Sequence, residues 1–592
     1  MKTEKERSLR NPGTQELSLL FLDSWVPKRS SGATRGTSCI LLSALLALPA
    51  SFAHAQDACE AAAPMEGQRL LRRLSLDLRG RVPGREDIAA QEGKTAVDAA
   101  TIDGWLRSPE LLEVMRRYHA ELLWPNIDQV ELIPQQNVLM PIEVAPGDTL
   151  WLSPLRSVFA RTISGPLYGL CKNEPAQFDA SGKIIAEPYL SGAGEILSYQ
   201  EGYVMVEPWW APGTEIKVCG FDAQPATRAV ACPGPAERYP FLSPTCDQVQ
   251  AYAGAVGVPF AGAEVDCSSL FGFFAPGCGC GPNLRYCQST ETEVALKKSL
   301  LEQELRMVDQ VIAEDRPYHQ VLTEKTVEMN GPIALYLREQ SRLSFDLFAD
   351  PDASSPIADV APNEADRWVP VTRGGRHSGV LTTPGYLLRF QSNRGRAHRF
   401  YNAFECSTFI PGGALPSPFE ACSKHEDLTQ RCGCDSCHKS LEPMAAAWGR
   451  FSEYGFAPID DARFPSTVGA SCAAPFASLE APFRCGRFYE LEPVGEEAAY
   501  AGMLNSYVFR TPDQIATLET GPRALVDRAI ASGSFATCTV RRMWTHFMRR
   551  APTADEELGV IPELRDAFVA DGYKLRGLIA SIVEQPAYRR LP

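Results

Sequence analysis

The sequence lacks the short motifs on which several common enzyme classes depend. It contains no glycine-rich phosphate loop, no nucleophile elbow and no HExxH zinc helix in a fitting context. Nucleotide-dependent and hydrolytic chemistry are therefore disfavoured. Basic residues are also too few to balance the acidic ones, and the net charge is −14. Because nucleic acid and anionic lipid repel such a surface, we expect no nucleic-acid partner.

Long apolar runs are scarce, and one stands out at residues 39–55, CILLSALLALPASFAHA. It follows a basic segment and ends in Ala53-His54-Ala55, a small-x-small cleavage pattern. The run is too short for a comfortable membrane span. We therefore expect a signal peptide with a long leader over residues 1–55 and a mature start near Gln56. The sequence predicts export to the periplasm, cell surface or extracellular space, with no transmembrane span after cleavage.

The motif that organises the chain is Cys434-Asp435-Ser436-Cys437-His438. Covalent haem attachment requires this pattern, in which each thiol adds to one vinyl group and the imidazole binds the iron. With 18 Cys and 8 His, roughly 0.007 accidental matches are expected in a chain of 592 residues. We therefore predict one haem c, held by Cys434 and Cys437, with His438 as the proximal iron ligand.

Two other interpretations of the motif stay open. Cys432, Cys434, Cys437 and His438 could form a four-ligand zinc knot, since tetrahedral zinc accepts mixed thiolate and imidazole ligands. Alternatively, the cysteines could be disulfide partners, with the histidine incidental.

The other cysteines favour a disulfide-rich exported protein. Of the 18 cysteines, Cys39 lies in the predicted signal peptide and two belong to the haem motif, which leaves 15. An odd number implies that at least one stays outside intramolecular disulfides, and the candidates are Cys59 and Cys432. A metal site at Cys278, Cys280 and Cys287 with Cys267 is the weaker alternative to disulfides, because no histidine accompanies these residues.

The length predicts several domains, and the pattern predicts a mainly α protein. A cytochrome c-like helical core is expected to carry a disulfide-rich insert of short β-strands and loops. The predicted segments after the signal peptide are an N-terminal helical domain (56–150), the cysteine-rich insert (151–289), a central helical domain (290–370), a cytochrome c-like haem domain (371–500) and a C-terminal helical domain (501–592).

Local signals place individual elements. Leu70, Leu74 and Leu78 predict a helix that ends at Gly80. Ser108-Pro109-Glu110 predicts another helix start. Tyr203–Val206 and Ile216–Cys219 lie within runs that are typical of strands. Thr290-x-x-Glu293 is typical of a capping box at a helix start. A further helix is expected over 441–454.

Four stretches also resemble one known family. They are LLRRLSLDLRGRVPGREDI, the central block SLLEQELRMVDQVIAEDRPYHQVLTEKTVEMNGPIALYL, RHSGVLTTPGYLLRFQSNRGR leading to CDSCHKSLEP, and the closing helical segment with its DGYKL helix start. Together they are similar to the planctomycete cytochrome c-like secreted proteins, over about two thirds of the mature chain. Glu442 stands where aspartate is usual and Ala445 where glycine is usual. The resemblance implies secretion and a haem domain, and it implies no defined activity.

The second axial ligand decides between electron transfer and catalysis, because a strong ligand makes a carrier and an open site permits peroxide or oxygen chemistry. His546 and Met543 are the distal candidates, and Trp448 and Phe451 could flank the macrocycle or be simple core residues. We expect electron transfer to an unidentified redox partner. The alternatives are a haem peroxidase or oxidase, or a non-redox surface protein stabilised by disulfides or zinc that binds through Trp209-Trp210.

Overall fold

A computed structural model describes residues 65–590, apart from 66, 154–170, 181–183, 225–229, 232–263, 266–278, 344–354, 410–418 and 469–486. The predicted signal peptide and Cys59 lie outside the described residues. Within them, helices dominate and a five-stranded sheet is added, so the protein is mixed α/β rather than purely helical. The expectation of a mainly helical chain is corrected to that extent.

The N-terminal helices are α1 (Gly67–Arg79), α2 (Arg85–Ala90), α3 (Ala99–Leu106) and α4 (Pro109–Leu123). The leucines predicted to form a stripe on α1 are buried, and Gly80 follows the helix with a φ of 67°, a left-handed conformation that glycine adopts without strain. At α4 the Ser108 hydroxyl accepts from the Leu111 amide. Both predicted helix boundaries are confirmed.

The insert contributes most of the strands, but β1 (Val138–Ala145) and the start of β2 (Asp148–Leu152) lie in the segment predicted as the N-terminal helical domain. The strands within the insert are β3 (Gln177–Phe178), β4 (Ile184–Ile185), β5 (Glu187–Leu190), β6 (Ile196–Gln200), β7 (Tyr203–Val206), β8 (Ile216–Cys219), β9 (Val230–Ala231), β10 (Glu264–Val265) and β11 (Gln288–Ser289). The five-stranded sheet has the order β11-β1-β2-β8-β7. The predicted strands β7 and β8 pair antiparallel, whereas β11 and β8 join β1 and β2 in parallel.

The central segment is built on α5 (Thr290–Ala313), followed by α6 (Gln320–Thr323), β12 (Thr326–Met329), α7 (Gly331–Leu335) and β13 (Val369–Thr372). The capping box is shifted by one residue from the prediction. Ser289 is the N-cap, and Thr292 closes the box from the third helical position. The hydroxyls of Ser289 and Thr292 therefore replace the predicted pair of Thr290 and Glu293.

The remaining helices follow one another from the segment that carries the haem motif to the last described residues. They are α8 (Pro384–Arg389), α9 (Asn393–Glu405), α10 (Asp435–Ala445), α11 (Pro512–Thr520), α12 (Arg523–Ala531), α13 (Ser534–Met548), α14 (Ala554–Leu558), α15 (Val560–Ala570) and α16 (Leu575–Glu584). The main hydrophobic core takes residues from α1, α4, α5, α9, α13 and α16. Segments predicted as separate domains thus share one core. None of the helices in the described ranges is long and apolar enough to cross a bilayer.

Four disulfides join the described cysteines. The pairs are Cys171–Cys219, Cys280–Cys287, Cys406–Cys538 and Cys422–Cys432. Cys432 was a candidate for the cysteine left outside the disulfides, and that prediction is wrong. The alternative metal site loses Cys280 and Cys287 to their shared bond, while Cys267 and Cys278 lie outside the described residues.

The tryptophan pair predicted as a binding surface is partly buried. The Trp209 indole N–H donates to the Cys287 carbonyl at 2.9 Å, and its ring lies edge-to-face with Trp210, at 5.5 Å between centroids. Trp210 packs against the small core around Leu139 and Val218. The pair therefore stabilises the insert next to its Cys280–Cys287 disulfide.

His119 on α4 is fully buried and makes two hydrogen bonds. Its Nδ1–H donates to the Met115 carbonyl at 2.7 Å, and because a carbonyl only accepts, the Nε2 lone pair must accept from the Tyr318 hydroxyl at 2.8 Å. Burial lowers the pKa of His119 to about 4, so the imidazole is neutral in the folded protein at physiological pH.

Because His119 is neutral in the folded protein, we expect the folding stability to decrease on acidification at pH values well above those at which carboxylates are protonated. The folded pKa lies below the unfolded value of 6.5, so the stabilisation is complete above pH 6.5 and is lost as the pH falls toward about 4. Between pH 7 and pH 5 the loss from His119 amounts to about 2 kcal/mol. Urea unfolding at the two pH values measures it. His119→Gln is expected to be less stable at pH 7 but to lose less on acidification, and an equal loss in both proteins contradicts the assignment.

Candidate haem-attachment site

The haem motif forms the first turn of α10. Cys434 is the N-cap residue, and its carbonyl accepts from the His438 amide at 3.0 Å. Cys434, Cys437 and His438 thus stand at positions i, i+3 and i+4, which places them on one face of the helix. One helical turn therefore carries both thiols and the imidazole.

The helix differs in extent from the prediction. It begins at Asp435, six residues before the expected start at Leu441, and Ala446–Trp448 continues it as a short 3-10 turn. Asp435 in the first turn favours this start, because a negative charge is stabilised near a helix N-terminus. The expected helix over 441–454 is therefore wrong at both ends.

The loop before α10 is fixed by the Cys422–Cys432 disulfide and by an amide hydrogen bond of Cys432 to the Cys422 carbonyl at 3.1 Å. Gly433 then turns the chain into the helix with a φ of 79°. Side chains with a Cβ rarely adopt this left-handed conformation. Because Cys432 is oxidised, the four-ligand zinc knot that includes it is contradicted.

The two motif cysteines differ from the other described cysteines in their bonding. Among the described residues, eight cysteines form the four disulfides, whereas Cys434 and Cys437 stay outside them. Both motif cysteines are partly exposed. This pattern disfavours the interpretation of the motif as structural disulfide partners.

His438 is held by a carboxylate one turn further along α10. Its Nδ1 lies 2.8 Å from Oε1 of Glu442, and its side chain remains 20% exposed. An ionised carboxylate only accepts hydrogen bonds, so Nδ1 carries a hydrogen, and in the neutral ring the lone pair is therefore on Nε2. Among the described residues, none makes a hydrogen bond to Nε2. The contact with Glu442 thus selects the tautomer that presents Nε2 to a metal.

Glu442 is itself buried and ion-paired to two arginines. Arg394 on α9 donates to Oε1, and Nη1 of Arg510 lies 2.9 Å from Oε2. Burial alone would raise the pKa of Glu442, but the His438 hydrogen bond and the charges of Arg394 and Arg510 outweigh it and lower the pKa to about 2. The carboxylate is therefore ionised at every physiological pH.

The aromatic residues expected beside a macrocycle are core residues. The Trp448 indole N–H donates to the Leu381 carbonyl at 3.0 Å, and its ring stacks on Tyr386 at 6.3 Å between centroids. Phe451 is 1% exposed and contacts the His377 ring. These contacts favour the core interpretation over a haem-flanking one.

The distal candidates lie on α13. Met543 is fully buried in the main core, and the His546 ring contacts Tyr118 of α4 at 5.0 Å. Helix α9 packs against both α10 and α13. Burial lowers the pKa of His546 to about 4, so this imidazole is also neutral. The sixth-ligand role of either residue stays a prediction.

The donor set fits haem c. The described residues supply two thiols outside disulfides on one helical turn and, beside them, an imidazole whose Nε2 lone pair is preserved by Glu442. Cys434 and Cys437 would form the thioether bonds and His438 would bind the iron. Bound haem would supply one-electron redox chemistry at this position.

No protein-family model, no curated protein and no solved structure matches this chain. The resemblance to the planctomycete cytochrome c-like secreted proteins therefore stays a prediction.

Sequence reasoning missed the partners of His438. In the sequence, Glu442 is recognisable as a departure from the family pattern but not as a hydrogen-bond acceptor for His438. The i, i+4 spacing of His438 and Glu442 carries that signal once the helix is known to begin at Asp435. Arg510 lies 68 residues beyond Glu442, and no local pattern indicates its contact.

Proposed function

We propose that this protein is an exported c-type cytochrome that transfers electrons through one haem c attached to Cys434 and Cys437, with His438 as proximal ligand. The redox partner is a further protein or small electron carrier. Export to the periplasm, cell surface or extracellular space is part of the proposal, because thiol oxidation in the rest of the chain requires an oxidising compartment.

One observation carries the proposal. In a chain whose other described cysteines are all oxidised, the thiols at 434 and 437 are kept apart from the disulfides, next to an imidazole with its Nε2 lone pair available. Structural disulfide formation and four-ligand zinc binding each require a different cysteine arrangement. Haem attachment requires this one.

The His438–Glu442 contact also favours a second candidate function, a haem peroxidase or oxidase with an open distal site. A proximal ligand that donates electron density favours cleavage of an O–O bond, and a carboxylate on Nδ1 increases the basicity of the imidazole. Carbon monoxide binding to the reduced protein separates the two functions. An unchanged spectrum indicates an electron carrier with two strong ligands, and a rapid shift indicates an open site.

Haem staining after denaturing electrophoresis tests the proposal. We expect the chain, exported from a host that carries the haem c maturation machinery, to keep its stain because thioether bonds survive denaturation. The matched control is the Cys406→Ser, Cys538→Ser double variant, which removes a disulfide outside the motif and is expected to stain equally per folded molecule. A folded, exported and unstained wild-type chain contradicts the proposal.

A further inference from the structure

We propose that Glu442 is a positioning residue for the haem: its carboxylate holds His438 as an Nε2 donor and lowers the reduction potential of the attached iron. This inference rests on the proposed function and specifies how the site is tuned. The residue does not touch the haem in the proposal, and it acts only through the His438 ring.

The geometry admits one hydrogen-bond direction. Glu442 Oε1 is an acceptor at 2.8 Å from His438 Nδ1, and the two residues are one helical turn apart on α10. Helical spacing therefore delivers the acceptor to the ring without any contribution from a loop. Ring rotation that exchanged Nδ1 and Nε2 would break this bond and remove one of the three partners of a buried carboxylate, which is costly.

The carboxylate is immobilised from three sides. Arg394 reaches it from α9, and Arg510 reaches it from the segment before α11. Nη1 of Arg510 also donates to the Glu442 main-chain carbonyl at 2.8 Å, so one guanidinium fixes both the side chain and the backbone. Glu442 is 6% exposed and Arg510 is mostly buried, so solvent screens these charges little. The hydrogen-bond acceptor is thus rigid before any haem is attached.

A carboxylate that accepts from Nδ1–H makes the imidazole a stronger donor at Nε2. A stronger donor stabilises the ferric state relative to the ferrous state, which lowers the reduction potential. The two arginines withdraw part of the carboxylate charge and so limit this effect. Donor strength is therefore set by the balance between Glu442 and its arginine partners.

A purely structural role makes a different prediction. If Glu442 served only to neutralise Arg394 and Arg510, its replacement would lower stability without changing the bond between iron and His438. Electron paramagnetic resonance of the ferric protein separates the two roles, because the tetragonal ligand-field splitting of the haem iron increases with electron donation from the His438 ring. This readout does not require carbon monoxide to bind, so it also applies to an electron carrier with two strong axial ligands.

The test compares three variants of the haem-loaded, full-length protein. Glu442→Gln keeps the shape and removes the charge, and Arg394→Gln removes one charge that competes for the carboxylate. Glu496→Gln is the matched control, because Glu496 accepts from Nδ1 of His425 at 3.0 Å in a similar pair outside the haem motif.

We expect Glu442→Gln to weaken electron donation from His438, which lowers the ligand-field splitting, and to raise the potential. The ratio of ferric to ferrous haem at a fixed potential should fall by about tenfold or more, which for one electron corresponds to about 59 mV. Arg394→Gln should move both readouts in the opposite direction. Arg394 is half exposed, so this variant is expected to fold even if Glu442→Gln does not. Glu496→Gln should leave both unchanged.

Two results are decisive against the inference. If neither Glu442→Gln nor Arg394→Gln changes the ligand-field splitting of the haem-bearing protein, this inference alone is overturned and the proposed function stands. A wild-type chain that carries no covalent haem overturns both the proposed function and this inference.

Discussion

Replacement of Cys434 and Cys437 together by serine is expected to abolish covalent haem attachment completely. Each single replacement should leave one thioether bond, because the two thiols add to separate vinyl groups. The remaining vinyl group stays conjugated with the ring, so the main visible band of the reduced pyridine complex should move to longer wavelength. Absorption spectra of the two single variants and the double variant measure this series.

The control for that series is the Cys422→Ser, Cys432→Ser double variant. It removes the disulfide nearest to the motif and leaves both motif thiols in place. We expect it to keep two thioether bonds and an unshifted band. Haem that survives acidic organic extraction from the Cys434, Cys437 double variant would place the attachment elsewhere and contradict the assignment.

Replacement of Arg396 by leucine is expected to cause the largest loss of stability among single changes near the motif. The Arg396 side chain is fully buried on α9, and its guanidinium donates to main-chain carbonyls of Phe390, Leu387, Ser452 and Gly455. Burial lowers the pKa of Arg396 to about 10, so the charge persists at neutral pH. Its loss leaves several buried carbonyls without donors, and we expect a cost of about 3–5 kcal/mol in urea unfolding.

Arg394→Leu is the matched control for that measurement. It lies two residues earlier on the same helix, but its side chain is 50% exposed. Its partner Glu442 is buried but keeps His438 and Arg510, so we expect a loss of about 1 kcal/mol, well below that of Arg396→Leu. Equal losses from Arg396→Leu and Arg394→Leu would show that the carbonyl contacts of Arg396 contribute little.

The sequence predicts some elements well because the determining contacts are local. Gly80 and Ser108 mark helix boundaries through hydrogen bonds to residues only a few positions away. The connection between β7 and β8 spans only residues 207–215, so these two antiparallel strands are also close in sequence. Each of these predictions requires only information within one element and its flanks.

The sheet order could not be predicted in the same way. Strand β11 pairs with β1 in parallel, and about 150 residues separate the two in sequence. Parallel pairs leave no turn signal, because their connections are long. The disulfides Cys171–Cys219 and Cys406–Cys538 are also non-local, with sequence separations of 48 and 132 residues. Many pairings are compatible with the same cysteine spacing, so the sequence does not select these two. The prediction of a mainly helical protein treats the strands of the insert as short and isolated, whereas the structure joins five strands in one sheet.

The haem site also combines local features that the sequence predicts with long-range contacts that it does not. The spacing of Cys434, Cys437 and His438 is legible in the sequence because the motif lies within five residues. The environment of Glu442 is not, because Arg394 and Arg510 come from different segments. Cys432 was a candidate for the cysteine outside the disulfides, and only the fold brings it to Cys422.

The most direct test of the central claim is the intact mass of the exported chain, isolated from a host that attaches haem c and measured under denaturing conditions. The account predicts a single species heavier than the processed polypeptide by one haem, with fragmentation locating the addition between residues 434 and 437. A mass equal to that of the polypeptide alone, in protein that has been exported and has formed its disulfides, would contradict it.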